Sequence, residues 1–396
     1  MESFRVWRHG PAVVGMALLA VSAHAAVQVS VTNLVTDDPA AHAAQITDAG
    51  LVNAWGISYS PTGPFWISSN GAGTSTLYSV NPLTQATSKV GLTVTIPGTG
   101  NVTGQVFNPG GATQFGGNPF LFVSEDGTVS GWRGALGTTA EQLNSLPAIY
   151  KGAAYGNVNG NSYLYAADFR SGGVAVFKGS AAAPSLSGNF QDPTLPSGYG
   201  AFNVQALGGS LYVAYAKQDP NSPDEVAGAG LGYVDRFDLQ GHFVNRVASG
   251  GALDAPWGLA IAPASFGAWS GALLVGNFGD GHISAYDRAT NTFLGQLSGA
   301  NGQALAIDGL WALSVGNGGS AGSVDALYFT AGPDNESHGL FGVMQAVPEP
   351  GTSALLAAGL MTIVLRLRAT QKRSGSALLR GIGTRNWLAV TNKEMP

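Results

Sequence analysis

The 396-residue chain has no cysteine, which excludes disulfides, thiol catalysis and Cys-ligated zinc or iron–sulfur centres. Charge is sparse, at 10% of residues, where a helical protein of this length would carry far more Glu, Lys and Leu. No Gly-Lys dipeptide occurs, so there is no phosphate loop. No pair of histidines has H-x-x-x-H spacing; His42, His242, His282 and His338 read as surface or turn residues. Nor does any uncharged apolar run reach the roughly 20 residues of a robust membrane span.

What is abundant is glycine, with 58 residues. Glycine alongside many Thr, Ser, Val and Tyr suggests short strands joined by tight turns. The formal net charge of -5 hides a segregation, because 20 Asp and Glu face 9 Lys and Arg between Val27 and Ala346. An acidic body argues against nucleic acid as a partner, since phosphate binding needs a positive surface.

Both ends read as addresses. Arg5 and Arg8 precede an apolar stretch from Pro11 to Val21, and Ala23-His24-Ala25 is an A-x-A site, the pattern of a signal peptide over residues 1–25 cleaved after Ala25. Near the other end, Val347-Pro348-Glu349-Pro350 leads into an uncharged stretch from Gly351 to Leu365, followed by Arg366 and Arg368. The arginines can snorkel to extend this short segment, and their position favours a cytoplasmic flank. We therefore expect a single C-terminal transmembrane helix within residues 347–373, and a basic, disordered tail over 374–396. The VPEP motif, apolar helix and arginine cluster resemble the PEP-CTERM sorting signal of Gram-negative bacteria. That resemblance implies a partner, an exosortase-type processing enzyme in the inner membrane. It also implies transient anchoring there, then delivery to the cell surface, outer membrane or exterior, often with exopolysaccharide production. The chain departs from the pattern by continuing past Arg373.

Between the signals, over residues 26–346, one pattern recurs: a strand, a polar Gly turn, and a second strand ending near an aromatic residue. Copies start at Phe65, Phe120, Tyr163, Leu211, Leu273 and Leu327. Their spacing of about 45 to 60 residues suits a four-stranded propeller blade. A short strand precedes several copies: NAWGIS at Asn53, APWGLAIA at Ala255, DGLWALSV at Asp308, and a degenerate form at Phe202-Asn203-Val204. Six copies predict an all-β, six-bladed β-propeller, with a pair of β-sandwiches as the alternative. The alternating segment VQVSVTNLV from Val27 is expected to clasp the ring by pairing near Leu327 to Thr330. Stretches such as LVNAWGISYSPTGPFWISSNGAGTSTLY, YAADFRSGG and YFTAGPDNESHGLFG resemble an uncharacterised family of secreted bacterial six-bladed propellers, NHL-repeat-like in pattern. That resemblance implies a fold and no reaction.

Candidate chemistry is thin. Gly318-Gly319-Ser320-Ala321-Gly322 matches G-x-S-x-G, but its glycine-rich loop leads to a strand rather than to the helix a nucleophile elbow needs. Asp334-Asn335-Glu336 and Asp280-Gly281-His282 read as solvated turns rather than metal loops. The most suggestive set is Asn53, Trp55, Asp254, Trp257, Asp308 and Trp311, at equivalent repeat positions and so expected to converge at one mouth of the channel. Trp faces beside carboxylates can stack on sugar rings and bind hydroxyls. By repeat position Glu125, Asp168 and Asn203 join them. Regucalcin- and gluconolactonase-like propellers hold a divalent ion with Glu, Asn and Asp at such inner-strand ends. The plainer alternative is that each Trp plugs between blades and each Asp caps a turn. No cofactor and no catalytic residue is predicted, and the metal content is left open. The leading reading is an exported, non-enzymatic binding or matrix-associated propeller, with polysaccharide as a possible partner. The alternative is a lactonase-like hydrolase using a divalent cation such as calcium at the channel mouth.

Overall fold

The computed structural model describes residues 27–99, 101–347 and 359–362. The signal segment and, apart from Val347, the sorting motif Pro348, Glu349, Pro350, Arg366 and Arg368 lie outside the described residues. Among the described residues no helix is long and apolar enough to cross a membrane.

Six antiparallel-built sheets follow one another along the chain as the blades of a six-bladed β-propeller. Their inner strands are Ala54–Ser58, Val102–Phe107, Tyr150–Val158, Tyr199–Leu207, Pro256–Ile261 and Leu310–Val315, and we number the blades 1 to 6 in that order. Blades 1, 2 and 5 are four-stranded meanders, and blade 4 gains a short extra strand at Glu225–Val226. Blade 3 stops at three, ending at Val174–Lys178. The strands form because β-branched and aromatic residues alternate across two packed faces. Phe65, Tyr78, Tyr163, Tyr165 and Phe329 are all fully buried between blades.

Blade 6 is completed from the N-terminus. Gln28–Thr36 pairs antiparallel with Leu340–Ala346, from Val29 opposite Ala346 to Thr36 opposite Leu340. The expected clasp therefore forms on a different strand from the one anticipated. Leu327–Ala331 already has partners on both sides, Leu310–Val315 and Leu340–Ala346, so only the latter has a free edge to offer.

Each inner strand carries a register irregularity close to its start. Bulges re-aim a side chain, and here the residues at the irregularity are Trp55, Thr103, Lys151, Phe202, Trp257 and Trp311, one per blade. Four of them precede glycine. A Cβ at Gly56 would collide with the backbone at Thr103, at Gly104 with Ala153, at Gly152 with Asn203, and at Gly258 with Trp311. Glycine lets neighbouring inner strands close on the axis.

Candidate functional site

The re-aimed side chains close the channel. Trp55 and Trp311 stack with ring centroids 3.6 Å apart, and Trp257 meets both edge-on at 6.3 and 5.8 Å. Phe278 stacks on Trp311 at 4.1 Å, while Phe202 and Phe169 fill the remaining sides. The three tryptophans are at most 4% exposed. They converge as equivalent repeat positions should, but their faces lie against one another. Below the plug, inner-strand residues of all six blades enclose a void of only about 10 Å³.

Lys151 is the charged member of this set. Its side chain is 2% exposed, with Nζ 5.5 Å from the Trp55 ring centroid and 5.9 Å from that of Phe169. Nζ donates to Glu125 Oε1 at 2.6 Å and Asp224 Oδ1 at 3.3 Å, and lies 3.9 Å from Glu225 Oε2. A second branch leaves the plug through Trp311 Nε1, which donates to Asn53 Oδ1 at 2.9 Å. Asn53 Nδ2 donates to Glu336 Oε2 at 2.6 Å and Asn70 Oδ1 at 3.3 Å. Asn70 Nδ2 completes the link to Glu125 Oε2 at 3.3 Å. Asn53 sits at φ +47°, a left-handed conformation that Asn accepts more readily than most residues.

Burial alone would lower the Lys151 pKa, but the surrounding carboxylates outweigh it and raise the value, so the side chain is a firm ammonium. Burial pushes Glu225 up to about 7, with Lys151 opposing only in part. Burial also raises Glu336, against the Asn53 hydrogen bond. Glu225 Oε2 is buried and makes no hydrogen bond with the described residues.

The other anticipated residues play structural parts. Asp168 Oδ1 caps a turn, accepting from the backbone N–H groups of Ile149, Arg170 and Ser171. Asn203 Nδ2 ties blade 4 to blade 5 through Trp257 O at 2.7 Å. Asp254 accepts from Gly228 N at 2.6 Å, and Asp308 from Asp334 N at 2.9 Å. Thus Asn53, Trp55, Glu125, Trp257 and Trp311 join at the mouth. Asp168, Asn203, Asp254 and Asp308 do not enter the lysine network. Asn70, Lys151, Asp224, Glu225 and Glu336 are the members that sequence reasoning missed; Glu336 comes from a stretch read as a plain turn. Ser320 lies in a loop whose backbone bridges to Val80 and Thr62, with no helix after it.

Calcium at this mouth would need six or more oxygens. The oxygens of Glu125 and Asp224 already share an ammonium, and a divalent ion on them would lie within a few ångströms of that charge. Among the described residues no group of three His, Asp or Glu side chains is arranged to hold a metal. The residues present at this centre do not fit a divalent ion.

Two clefts flank the loop over residues 219–224 at the mouth. One, of about 540 Å³, is lined by Ile149, Phe169, Arg170, Gln218 and residues 219–223 of the loop. The other, of about 360 Å³, is lined by Thr99, Asn101, Glu125, Asp126, Ile149, Arg170, Pro223 and Asp224.

The buried acids give the ring an unusual pH response. Glu225 and Asp235 each titrate at about 7 when folded, against 4.5 and 3.8 otherwise, chiefly through burial. The folded state therefore binds the extra protons, and stability falls as pH rises from about 4.5 toward 7. The acids held low, such as Asp126 and Asp192, lose stability only below the ordinary carboxylate range. Thermal unfolding should thus show a higher melting temperature at pH 6 than at pH 8, with a smaller difference in Glu225→Gln. A melting temperature that rises from pH 6 to pH 8, or stays level, would contradict the assignment.

No protein-family model matches the chain. Among curated proteins it is similar to three from Acanthamoeba polyphaga mimivirus. "Uncharacterized protein R648" is 33% identical over 319 residues, covering 75% of each chain. "Uncharacterized protein L690" is 34% identical over 210 residues, 51% of this chain and 53% of that one. "Uncharacterized protein R640" is 30% identical over 198 residues, 48% and 36% respectively. Among solved structures, the WD40 beta propeller domain of Doa1 superposes with a TM-score of 0.43 at 9% identity, over 76% of this chain and 94% of that one.

Proposed function

The chain belongs to the family of uncharacterized protein R648 of Acanthamoeba polyphaga mimivirus, and from that premise we propose an exported propeller that binds a ligand at its channel mouth without transforming it. The observation that carries this reading is the closed axis. The stacked Trp55 and Trp311 leave no passage, and Lys151 takes the centre where a hydrolytic metal would sit. What stays open is a pair of clefts on the mouth loops. Export rests on the A-x-A site at Ala23 and Ala25, and sorting by an exosortase-type system rests on Val347 to Pro350 with Arg366 and Arg368. Surface or matrix association, with polysaccharide as partner, follows from that route.

The test has two arms. A polysaccharide and metabolite screen of the purified chain should yield a ligand whose binding is lost in Pro223→Arg, since Pro223 lines both clefts. In a host carrying an exosortase, the mature protein should begin at Ala26, and deleting residues 347–396 should change the fraction in which it accumulates. One observation favours a second reading: Glu225 titrating at about 7 is suited to general acid–base work at neutral pH. Lactone hydrolysis by the wild type that disappears in Glu225→Gln would replace binding with catalysis.

A further inference from the structure

We propose that the connection between blades 3 and 4, over residues 179–198, is a pH-sensitive strap. A proton that Asp235 shares with Asp192 locks it over the seam of the two blades.

The strap stands where a strand is missing. Blade 3 ends at Val174–Lys178, and the residues from there to the inner strand Tyr199–Leu207 form no helix or strand. Structureless connections of this length are uncommon and usually functional. Ala183, Leu186, Phe190 and Leu195 pack in one cluster with Val174 and Val176 of blade 3 and Phe237 of blade 4. Between its ends, few hydrogen bonds among the described residues tie the strap's backbone to the blades. Gly188 N and Phe190 N donate to Gln240 O and Gly241 O, each at 2.9 Å, and Tyr163 Oη donates to Pro184 O at 2.8 Å. Phe190 sits at φ +54°, a strained conformation for a bulky residue. A segment so lightly tied opens at low cost.

The lock is one guanidinium serving two buried acids. Arg246 Nε donates to Asp235 Oδ1 at 2.9 Å, and Nη2 donates to Asp192 Oδ2. Both carboxyl side chains are 0% exposed. Asp192 Oδ1 accepts from Thr194 N and Oγ1, both at 2.7 Å, whereas Asp235 Oδ2 is buried and meets no donor among the described residues. The two carboxyls lie within hydrogen-bonding reach of each other. Carboxylates only accept, so that contact needs a proton, and the orphaned Oδ2 is where it fits. Asp192 also lines a cleft of about 470 Å³ with Phe190, Tyr199 and Tyr215, which gives the proton a route to water.

Burial raises Asp235 to about 7, with Arg246 opposing and Asp192 adding to the rise. For Asp192 burial also works upward, but its Thr194 and Arg246 contacts outweigh it and hold it low. Tyr215 feels both acids from the adjacent strand and is pushed up chiefly by burial, so it stays neutral. Arg246 lies over the Tyr233 ring at 4.7 Å, and Lys217 over Tyr199 at 5.1 Å. His242 meets the strap separately, with Nε2 3.2 Å from Ser187 Oγ and Nδ1 2.8 Å from Asp238 Oδ2. A proton held more tightly in the closed form favours closure below about pH 7, and closure weakens as pH rises through that value. Its loss leaves two buried carboxylates on one guanidinium, and Asp192, on the strap, is the partner able to leave.

Hydrogen exchange of the full chain at pH 6 and pH 8, corrected for the chemical exchange rate, tests the lock. Amides of residues 183–192 should be about tenfold better protected at pH 6. Asp235→Asn keeps a donor for Asp192 at every pH, so its strap should be equally protected at both. His242→Asn should respond as the wild type does. Should Asp235→Asn fail to fold, Asp192→Asn decides: its amide can donate to Asp235, which then stays ionised, and the pH response should vanish. Equal protection of the wild-type strap at pH 6 and pH 8 overturns the proposal. So does a response that survives in Asp235→Asn or Asp192→Asn, and so does one that disappears in His242→Asn.

Discussion

Lys151→Met is expected to destabilise the ring by about 3–5 kcal/mol at pH 8, the range for removing one partner from a buried ion pair. Methionine keeps much of the volume that packs against Trp55 and Phe169, so the loss is mainly one of charge. Glu125 and Glu225 would then face each other with no ammonium between them. The deficit should shrink toward pH 5. Lys151 is what holds Glu225 down to about 7, and without it the carboxyl takes a proton at still higher pH. The double variant Lys151→Met, Glu225→Gln should recover part of the stability at pH 8 by removing one of the stranded acids. Equal melting temperatures for wild type and Lys151→Met at pH 8 would show that the lysine is not what stabilises the carboxylates.

Removing residues 27–36 should have an even larger effect. The strand buries Val29, Leu34 and Val35 to within 1% of full burial, worth about 1.5–3 kcal/mol each. Their sum is comparable to the whole stability of an ordinary domain, about 5–15 kcal/mol. The deletion also bares the edge of Leu340–Ala346, a template for pairing with other chains. The expected result is loss of the cooperative transition and aggregation. Leu34→Ala, at about 2–5 kcal/mol, should shift a single transition downward. An unchanged melting temperature for the deletion would mean the ring closes without its clasp.

Much of this architecture was legible because it repeats. Six spaced hairpins predict six blades, and tryptophans at matching positions must meet on the axis. What escaped was set by pairing order and by local irregularity. The repeat marks hairpins but not which strand of the last one stays free, so the clasp was assigned to the strand near Leu327 rather than to Leu340–Ala346. The absent fourth strand of blade 3 leaves no positive sign in the chain. Lys151 was hidden because a lysine between Tyr150 and Gly152 reads as a solvent-facing residue of an alternating strand; the bulge inverts that reading. A signal existed in the six dipeptides Trp55-Gly56, Thr103-Gly104, Lys151-Gly152, Phe202-Asn203, Trp257-Gly258 and Trp311-Ala312, aligned by repeat position. Asp224 and Glu225 sit in a Pro-rich connection that resembles any polar turn, and only the fold carries them over the axis.

The closure of blade 6 also decides how the ring is presented. Val29 and Ala346 are paired neighbours, so the chain enters and leaves the propeller at one spot on its outer rim. Leu340, at the other end of the same strand, pairs with Ala331, which pairs with Leu310 at the mouth end of its inner strand. About 20 Å of strand therefore separates the exit from the mouth loops. Val29 and Ala346, the two ends of that closing pair, thus lie at the far end of blade 6 from the loops that bring Asn53 and Glu336 to the plug.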